Sequence, residues 1–206
     1  MDIKPRQLEI MEVAGQLMTE GGYVAFTTKR LAGRMGVSEP ALYRHFKNKE
    51  EILLTMLHYL AHSMDERLTE VTVRVNDPAV RVEAMFDSHF KFFTEYPHFL
   101  MAIFATGVLD QSPALDKGIA GLMEVKRRHL LATIKEGQSK GVFTDAFPAE
   151  LLTMIAMGTF RLHMLRWRMS GRSFDLTKKG RALVKVVVEL IPVSYTHLTL
   201  PTSDLV

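Results

Sequence analysis

Between Thr27 and Lys49 the chain reads TTKRLAGRMGVSEPALYRHFKNK, and this spacing leaves room for one arrangement, two short helices joined by a tight turn. The first segment, 28–35, is amphipathic and stops at Gly36, which can take the left-handed conformation that ends a helix without steric cost. Val37 and Ser38 turn the chain, and the Ser38 hydroxyl is placed to accept from an orphan N–H of the next segment, 39–46. Pro40 falls in that segment's first turn, where it forfeits no intrahelical bond. On a helical wheel Leu42 and Phe46 share one side, while Pro40, Tyr43, Arg44 and Lys47 share the other. The first side can pack; the second is polar, cationic and aromatic.

That outer side suits the major groove of duplex DNA. Arg44 can give paired hydrogen bonds to guanine, Tyr43 and Lys49 can reach phosphates, and the helix N-terminus favours an anion. From Thr28 to Lys49 six cations, Lys29, Arg30, Arg34, Arg44, Lys47 and Lys49, stand against Glu39 alone. The whole chain carries only +3, so the positive charge is concentrated here. A solvated charged hairpin would share the charge; it would not need the turn glycine, the cap and the apolar phase to agree with it.

These residues carry a family resemblance. Thr27-Thr28-Lys29-Arg30-Leu31-Ala32, then Gly36-Val37-Ser38-Glu39-Pro40-Ala41-Leu42-Tyr43-Arg44-His45-Phe46-Lys47-Asn48-Lys49, resembles the DNA-binding domain of the TetR family of bacterial transcriptional regulators, over roughly residues 5 to 60. The resemblance implies that the second helix enters the major groove. Carried over position by position, it implicates Thr28, Lys29, Ser38, Glu39, Pro40, Ala41, Tyr43, Arg44, His45 and Lys49 in DNA contact. Two positions depart from the pattern. Met35 is bulkier than the small residue often found before that glycine, and Glu39 brings a carboxylate near the phosphates, where it either accepts from a cytosine amino group or orients Arg44.

With 206 residues, 47% of them hydrophobic, the chain can bury a real core in one or two domains. It has no cysteine, which excludes disulfides, thiolate zinc sites and a cysteine redox sensor and fits a reducing cytoplasm. The opening MDIKPRQLEI lacks the apolar run of a signal peptide, and no apolar stretch reaches the ~18 to 20 residues of a membrane span, so no membrane partner is expected.

Helical periodicity continues on both sides of the motif. Pro5 opens a helix carrying Ile10, Val13, Ala14, Leu17 and Met18 until Gly21-Gly22, and Tyr23 and Phe26 should plug a three-helix core with Leu31, Leu42 and Phe46. Asn48 is a good cap with Glu51 three residues on, and the stripe Ile52, Leu53, Met56, Leu57, Leu60, Met64, Leu68 and Val71 runs unbroken to Val75. One helix therefore belongs both to the motif and to the larger region beyond it. After Asn76-Asp77-Pro78 the pattern predicts helices over 78–96, 98–106 ending at Gly107, 113–139, 148–169 and 177–191, the last despite its valines because Leu183, Val186, Val187 and Leu190 keep helical spacing. The expected fold is all-α, about nine helices. It comprises a helix-turn-helix domain at 1–48, a connecting helix over about 49–75 within a ligand-binding and dimerisation domain at 49–192, and a non-native or disordered tail at 193–206.

The segment from Pro148 is apolar almost all round, and a helix without a polar face needs burial on two sides. With Gly158 permitting close approach, helices 148–169 and 177–191 are expected to form a four-helix bundle with a second copy, a homodimer holding its two reading helices ~34 to 36 Å apart on a palindromic operator. An interior cavity is expected among the helices, lined by Phe86, His89, Phe90, Phe93, Phe99, Met101, Phe104, Met123, Met157 and Phe160 and suited to a small hydrophobic or amphipathic effector. His62, His89, His98, Thr106, His129, Arg161 and His163 are candidate orienting groups; an aromatic or histidine taken alone is more often ordinary core, and only the group supports a pocket. His58 and His62, with Asp65 or Glu66 one turn on, have metal-ligand spacing, but so does a wet helix face, and no second convincing pair appears, so neither metal nor cofactor is expected. No G-x-S-x-G elbow, phosphate-binding glycine loop, H-E-x-x-H or cysteine nucleophile supports catalysis. The residues together predict a repressor released by its effector. A helical binding protein or enzyme that ignores DNA, and a DNA-binding activator, remain open alternatives.

Overall fold

The computed structural model describes residues 3–104 and 112–190, and the regular elements among them are all helical. They are α1 (Pro5–Ala25), α2 (Thr28–Met35), α3 (Glu39–Tyr43), α4 (Lys49–Arg74), α5 (Pro78–Glu95), a 3₁₀ turn at Pro97–Phe99, α6 (Leu100–Phe104), α7 (Pro113–Ser139), α8 (Ala149–Met169) and α9 (Leu176–Leu190). Thr106, Gly107, Ile191 and the expected tail at 193–206 lie outside the described residues.

α1 begins at Pro5 and leaves helical geometry at Gly21 and Gly22, as the glycine pair predicts, before one further turn leads to Phe26. Phe26 is wholly buried and Tyr23 stands edge-on to it at 6.2 Å. α4 carries the fold. Asn48 caps it by accepting from Glu51 N–H at 2.8 Å, while the Glu51 carboxylate accepts from Lys47 N–H rather than from Asn48 as a reciprocal capping box would have it. At 26 residues α4 is roughly 39 Å long, and its buried stripe from Ile52 to Leu68 packs on α1 near one end and on α5 and α7 beyond. α7 runs beside it in the same direction: Ser112 donates to Glu50, Gly118 faces Leu57, and Arg128 and His129 both reach Asp65 at 2.6 Å.

α5 packs on α9, with Asp87 accepting from Arg181 at 2.5 Å, and α8 lies against α7 and α9. α9 is helical, as its spacing requires, but its inward face is Val184, Val187 and Val188; Val186 and Leu190, expected within the same stripe, point outward. α8 divides the same way. Leu152, Ala156, Met164 and Trp167 are buried, whereas Leu151, Met154, Ile155 and Leu162 are exposed.

One polar device ties these helices together. Arg81, buried on α5, donates to the carbonyls of Val75 at 2.7 Å and Asn76 at 3.2 Å and to the carboxylate of Glu136 on α7. It satisfies carbonyls at the α4–α5 joint while pinning that joint to α7. The Arg81 and Lys140 hydrogen bonds hold the Glu136 carboxyl down at about 2. A depressed carboxyl stabilises the fold fully above its ordinary value and loses that contribution as pH falls through its folded value. The denaturant midpoint of wild type should therefore exceed that of Glu136→Gln at about pH 7, and the gap should close steadily between about pH 4.5 and pH 2. A gap independent of pH would show that the charge of Glu136 does not contribute.

Candidate nucleic-acid interface and interior cavity

The reading face is built by local capping. Thr27 accepts from Arg30 N–H at 3.1 Å to start α2, and Gly36, at φ +65°, ends it with its own N–H on the α2 carbonyls and Val37 N–H on Ala32 at 3.0 Å. The Ser38 hydroxyl makes no cap bond, contrary to the sequence expectation. Pro40 has no N–H to offer, and Ala41 N–H is already taken by the Ser38 carbonyl at 3.0 Å. α3 is also shorter than expected, ending at Tyr43 rather than Phe46. The chain tightens there, with His45 and Phe46 N–H both on the Leu42 carbonyl, and this still buries Leu42 and Phe46 while Pro40, Tyr43, Arg44 and Lys47 remain exposed.

The polar residues divide into two groups. Lys29, Arg30, Arg44 and Lys47 are exposed and carry no ion pair among the described residues, whereas Arg34 is paired with Glu20 at 2.6 Å. The Glu39 carboxylate accepts from the Thr28 hydroxyl at 2.7 Å, joining the N-termini of α2 and α3. Lys49 is half-buried and turned inward, donating to the Phe26 carbonyl at 3.0 Å with its ammonium 4.7 Å from the Tyr23 ring centroid. Ala41 and His45 are half-buried, and the His45 carbonyl accepts from Gln7 of α1 at 3.4 Å.

Behind this module the helices enclose a narrow cavity of about 40 Å³ lined by Met64, Phe93, Leu100, Ile103, Phe104, Leu122, Met123, Lys126, Met157, Phe160, Arg161 and Met164. Of the expected lining, Phe93, Phe104, Met123, Met157 and Phe160 are there. Phe86, His89 and Phe90 form the layer behind Phe160, with ring centroids 5.4 to 5.5 Å from it. An outer hollow of about 410 Å³ shares Met123, Met157 and Arg161 with the cavity and opens over the exposed face of α8 at Met154 and Gly158. Lys126 is the residue that sequence reasoning missed. It sits on the α7 stripe three and four residues from Met123, Leu122 and Leu130, and a lone cation on an apolar stripe was the available signal. Of the candidate orienting groups, Arg161 reaches the cavity rim, His129 is held by Asp65, His89 is buried with neither ring nitrogen bonded, and His62 faces solvent beside Glu66. Burial above all holds the His89 pKa well below the ordinary histidine range.

The family model for bacterial regulatory proteins of the tetR family matches residues 10–56, and that for the C-terminal region of YsiA-like proteins matches residues 57–191. The chain belongs to the TetR family. It is a DNA-binding transcriptional regulator with an N-terminal helix-turn-helix and a C-terminal helical region. Among its relatives, the fatty acid metabolism regulator of Bacillus subtilis is 20% identical over 90% of this chain and 95% of that protein. The nucleoid occlusion factor SlmA of Haemophilus ducreyi is 25% identical over 91% and 94%. The crystal structure of the transcriptional regulator FadR from Bacillus subtilis in complex with stearoyl-CoA has the same fold, with a TM-score of 0.77 at 22% identity, covering 91% of this chain and all of that one. No described helix of this TetR-family chain is long and apolar enough to cross a membrane.

The Glu39–Thr28 bond makes a specific electrostatic statement testable. Glu39→Gln keeps an acceptor for Thr28 but removes the one negative charge of the reading window. Its affinity for arbitrary duplex DNA should rise about three- to tenfold at low salt, with the gain shrinking as salt is raised, in fluorescence anisotropy titrations. Unchanged affinity at every salt concentration would mean that this carboxylate does not face the DNA.

Proposed function

We propose that this chain is a cytoplasmic homodimeric repressor that binds a near-palindromic operator and is released by a small hydrophobic or amphipathic effector. The observation that carries the reading is the contact between cavity and reading head. α6, whose Leu100, Ile103 and Phe104 line the cavity, follows directly on the 3₁₀ turn that presses on α1: a Cβ at Gly15 would lie 2.8 Å from the His98 carbonyl oxygen. An effector that enlarges the cavity pushes on the helix that supports α2 and α3. The same effector acts through α4, whose first turn holds the motif by Asn48 and Lys49 and whose Met64 lines the cavity. The names of the relatives, a fatty acid metabolism regulator and a regulator solved with stearoyl-CoA, support an apolar or amphipathic ligand.

On the DNA, Arg44 is assigned to base reading, with Lys29, Ser38, Pro40, Tyr43 and the exposed cations around them in the groove or on phosphates. Thr28, Glu39, Ala41, His45 and Lys49 support that face, Thr28 and Glu39 through the bond they share and Lys49 through the Phe26 carbonyl. The exposed Leu151, Met154, Ile155 and Leu162 of α8, with Val186 and Leu190 of α9, form the dimer face, because an apolar surface of this extent is otherwise left in water.

Two measurements test this. Arg44→Ala should weaken binding to the chain's own operator by about 1–3 kcal/mol, roughly five- to 150-fold, and relax the preference for operator over random duplex. An equal loss on all sequences would move Arg44 from base reading to the backbone. Leu162→Glu should convert a particle of twice the 23.4 kDa chain mass into a monomer by light scattering and abolish tight operator binding. A surviving dimer would place the interface elsewhere. A footprint lying outside any promoter would refute repression.

A further inference from the structure

Lys126 is the only buried lysine among the described residues, at 4% exposure, and its ammonium has no hydrogen-bond partner. It stands 3.0 Å from the ring centroid of Phe160 and 4.7 Å from that of Phe86, at the wall of the cavity. From α5 it faces Phe86 and the unbonded His89; from α8 it faces Phe160, with Arg161 on the cavity rim. Among the described residues no carboxylate acts on it. Asp65 and Asp87 are already paired at the surface, Asp65 with Arg128 and His129 and Asp87 with Lys91 and Arg181. Burial alone shifts its pKa, well below the ordinary lysine range. An amine in that position weakens the fold relative to a methionine of similar volume, so it is explained by a state in which it has a partner.

We propose that Lys126 anchors an effector bearing a single carboxylate, whose hydrocarbon body occupies the cavity between Phe93, Phe104, Met123 and Met157. The inference rests on the reading of this cavity as the effector site and gives that effector a head group. Lys126 is the one buried cation of the wall, Arg161 standing exposed at the rim, and one buried ammonium matches one negative charge at the buried end. A phosphate dianion would leave charge unpaired there, and an uncharged ester or thioester would leave the ammonium unpaired. The aromatic faces of Phe160 and Phe86 hold the amine in the empty cavity, and an incoming carboxylate replaces them with a charge-assisted bond. Room comes from side chains rather than from a preformed space. About 40 Å³ is far below the ~300 Å³ and more of a drug-sized pocket, but Met64, Met123, Met157 and Met164 line it, and displacing Met123 and Met157 joins it to the outer hollow of about 410 Å³.

The test uses the whole protein without DNA, titrated calorimetrically with hexanoate, decanoate and palmitate, with the alcohol of each chain length, and with decanoyl-CoA. At the best chain length the carboxylate should bind wild type at least about tenfold more tightly than its alcohol, and more tightly than the CoA thioester. Lys126→Met should melt higher than wild type when free and bind acid and alcohol equally; Lys126→Gln, which keeps a polar end, should likewise lose the preference. Equal binding of acid and alcohol by wild type overturns the proposal, as does tighter binding of the thioester, a preference that survives both substitutions, or binding of none of the probes. DNA release is read separately by anisotropy on the operator. A carboxylate preference that depends on Lys126 but leaves DNA bound would sink the effector reading while sustaining the anchor.

Discussion

The fold depends on α4 remaining one helix. Its apolar stripe is continuous from Ile52 to Leu68, with no glycine or proline between Lys49 and Val75, so the chain has no internal point at which the reading head could hinge freely away from the rest. Its first turn is fixed three ways: Asn48 caps it, Glu51 closes back on Lys47, and Lys49 reaches the Phe26 carbonyl at the entry to the motif. Its far end is closed by Arg81, which takes up the Val75 and Asn76 carbonyls. A rod fixed at both ends transmits displacement instead of absorbing it, which is what the proposed coupling of a cavity against its middle, at Met64, to DNA contact requires.

Most of the architecture was legible because its punctuation is local. Gly36, Pro5, Asn48, Asp77 and Pro113 act within a turn of where they stand, and their effect can be read without knowing the fold. What sequence reasoning missed depends on contacts between distant residues or on competition for one donor. Ser38 is a good cap in isolation, yet Pro40 lacks the N–H and the Ser38 carbonyl already holds that of Ala41. Glu39 and Thr28 are eleven residues apart and meet only because the turn at Gly36 brings two helix N-termini together. A lysine at the end of a basic run is usually solvated, and the inward turn of Lys49 depends on the Phe26 carbonyl and the Tyr23 ring, which lie 23 and 26 positions back. The wheel for α9 was right in period but wrong in phase by one residue, since a run of valines supplies apolar side chains on every side and only packing on α5 decides which face turns in. The cavity was half legible. Its aromatic and methionine lining follows from composition, but Phe86, His89 and Phe90, equally apolar in context, lie one layer deeper, and the burial of Lys126 runs against the rule that a cation finds water.

The small size of the cavity bears on how an effector could act. A ligand shifts an equilibrium only by its preference for one state over the other, about 1.4 kcal/mol for each tenfold loss of operator affinity. In a preformed cavity of full size both states could hold the ligand and the preference would be slight. Here the cavity, at about 40 Å³, is far smaller than a drug-sized ligand, so an effector proposed to occupy it would favour an expanded state. Expansion has few directions open to it. α7 is tied to α4 by Asp65 with Arg128 and His129, and to α5 by Glu136 with Arg81; these walls resist. α6, described over Leu100–Phe104, follows directly on the 3₁₀ turn, and that turn rests on α1 at Gly15, where there is no side chain on the α1 side. The most compliant wall of the cavity is therefore the one in contact with the reading head.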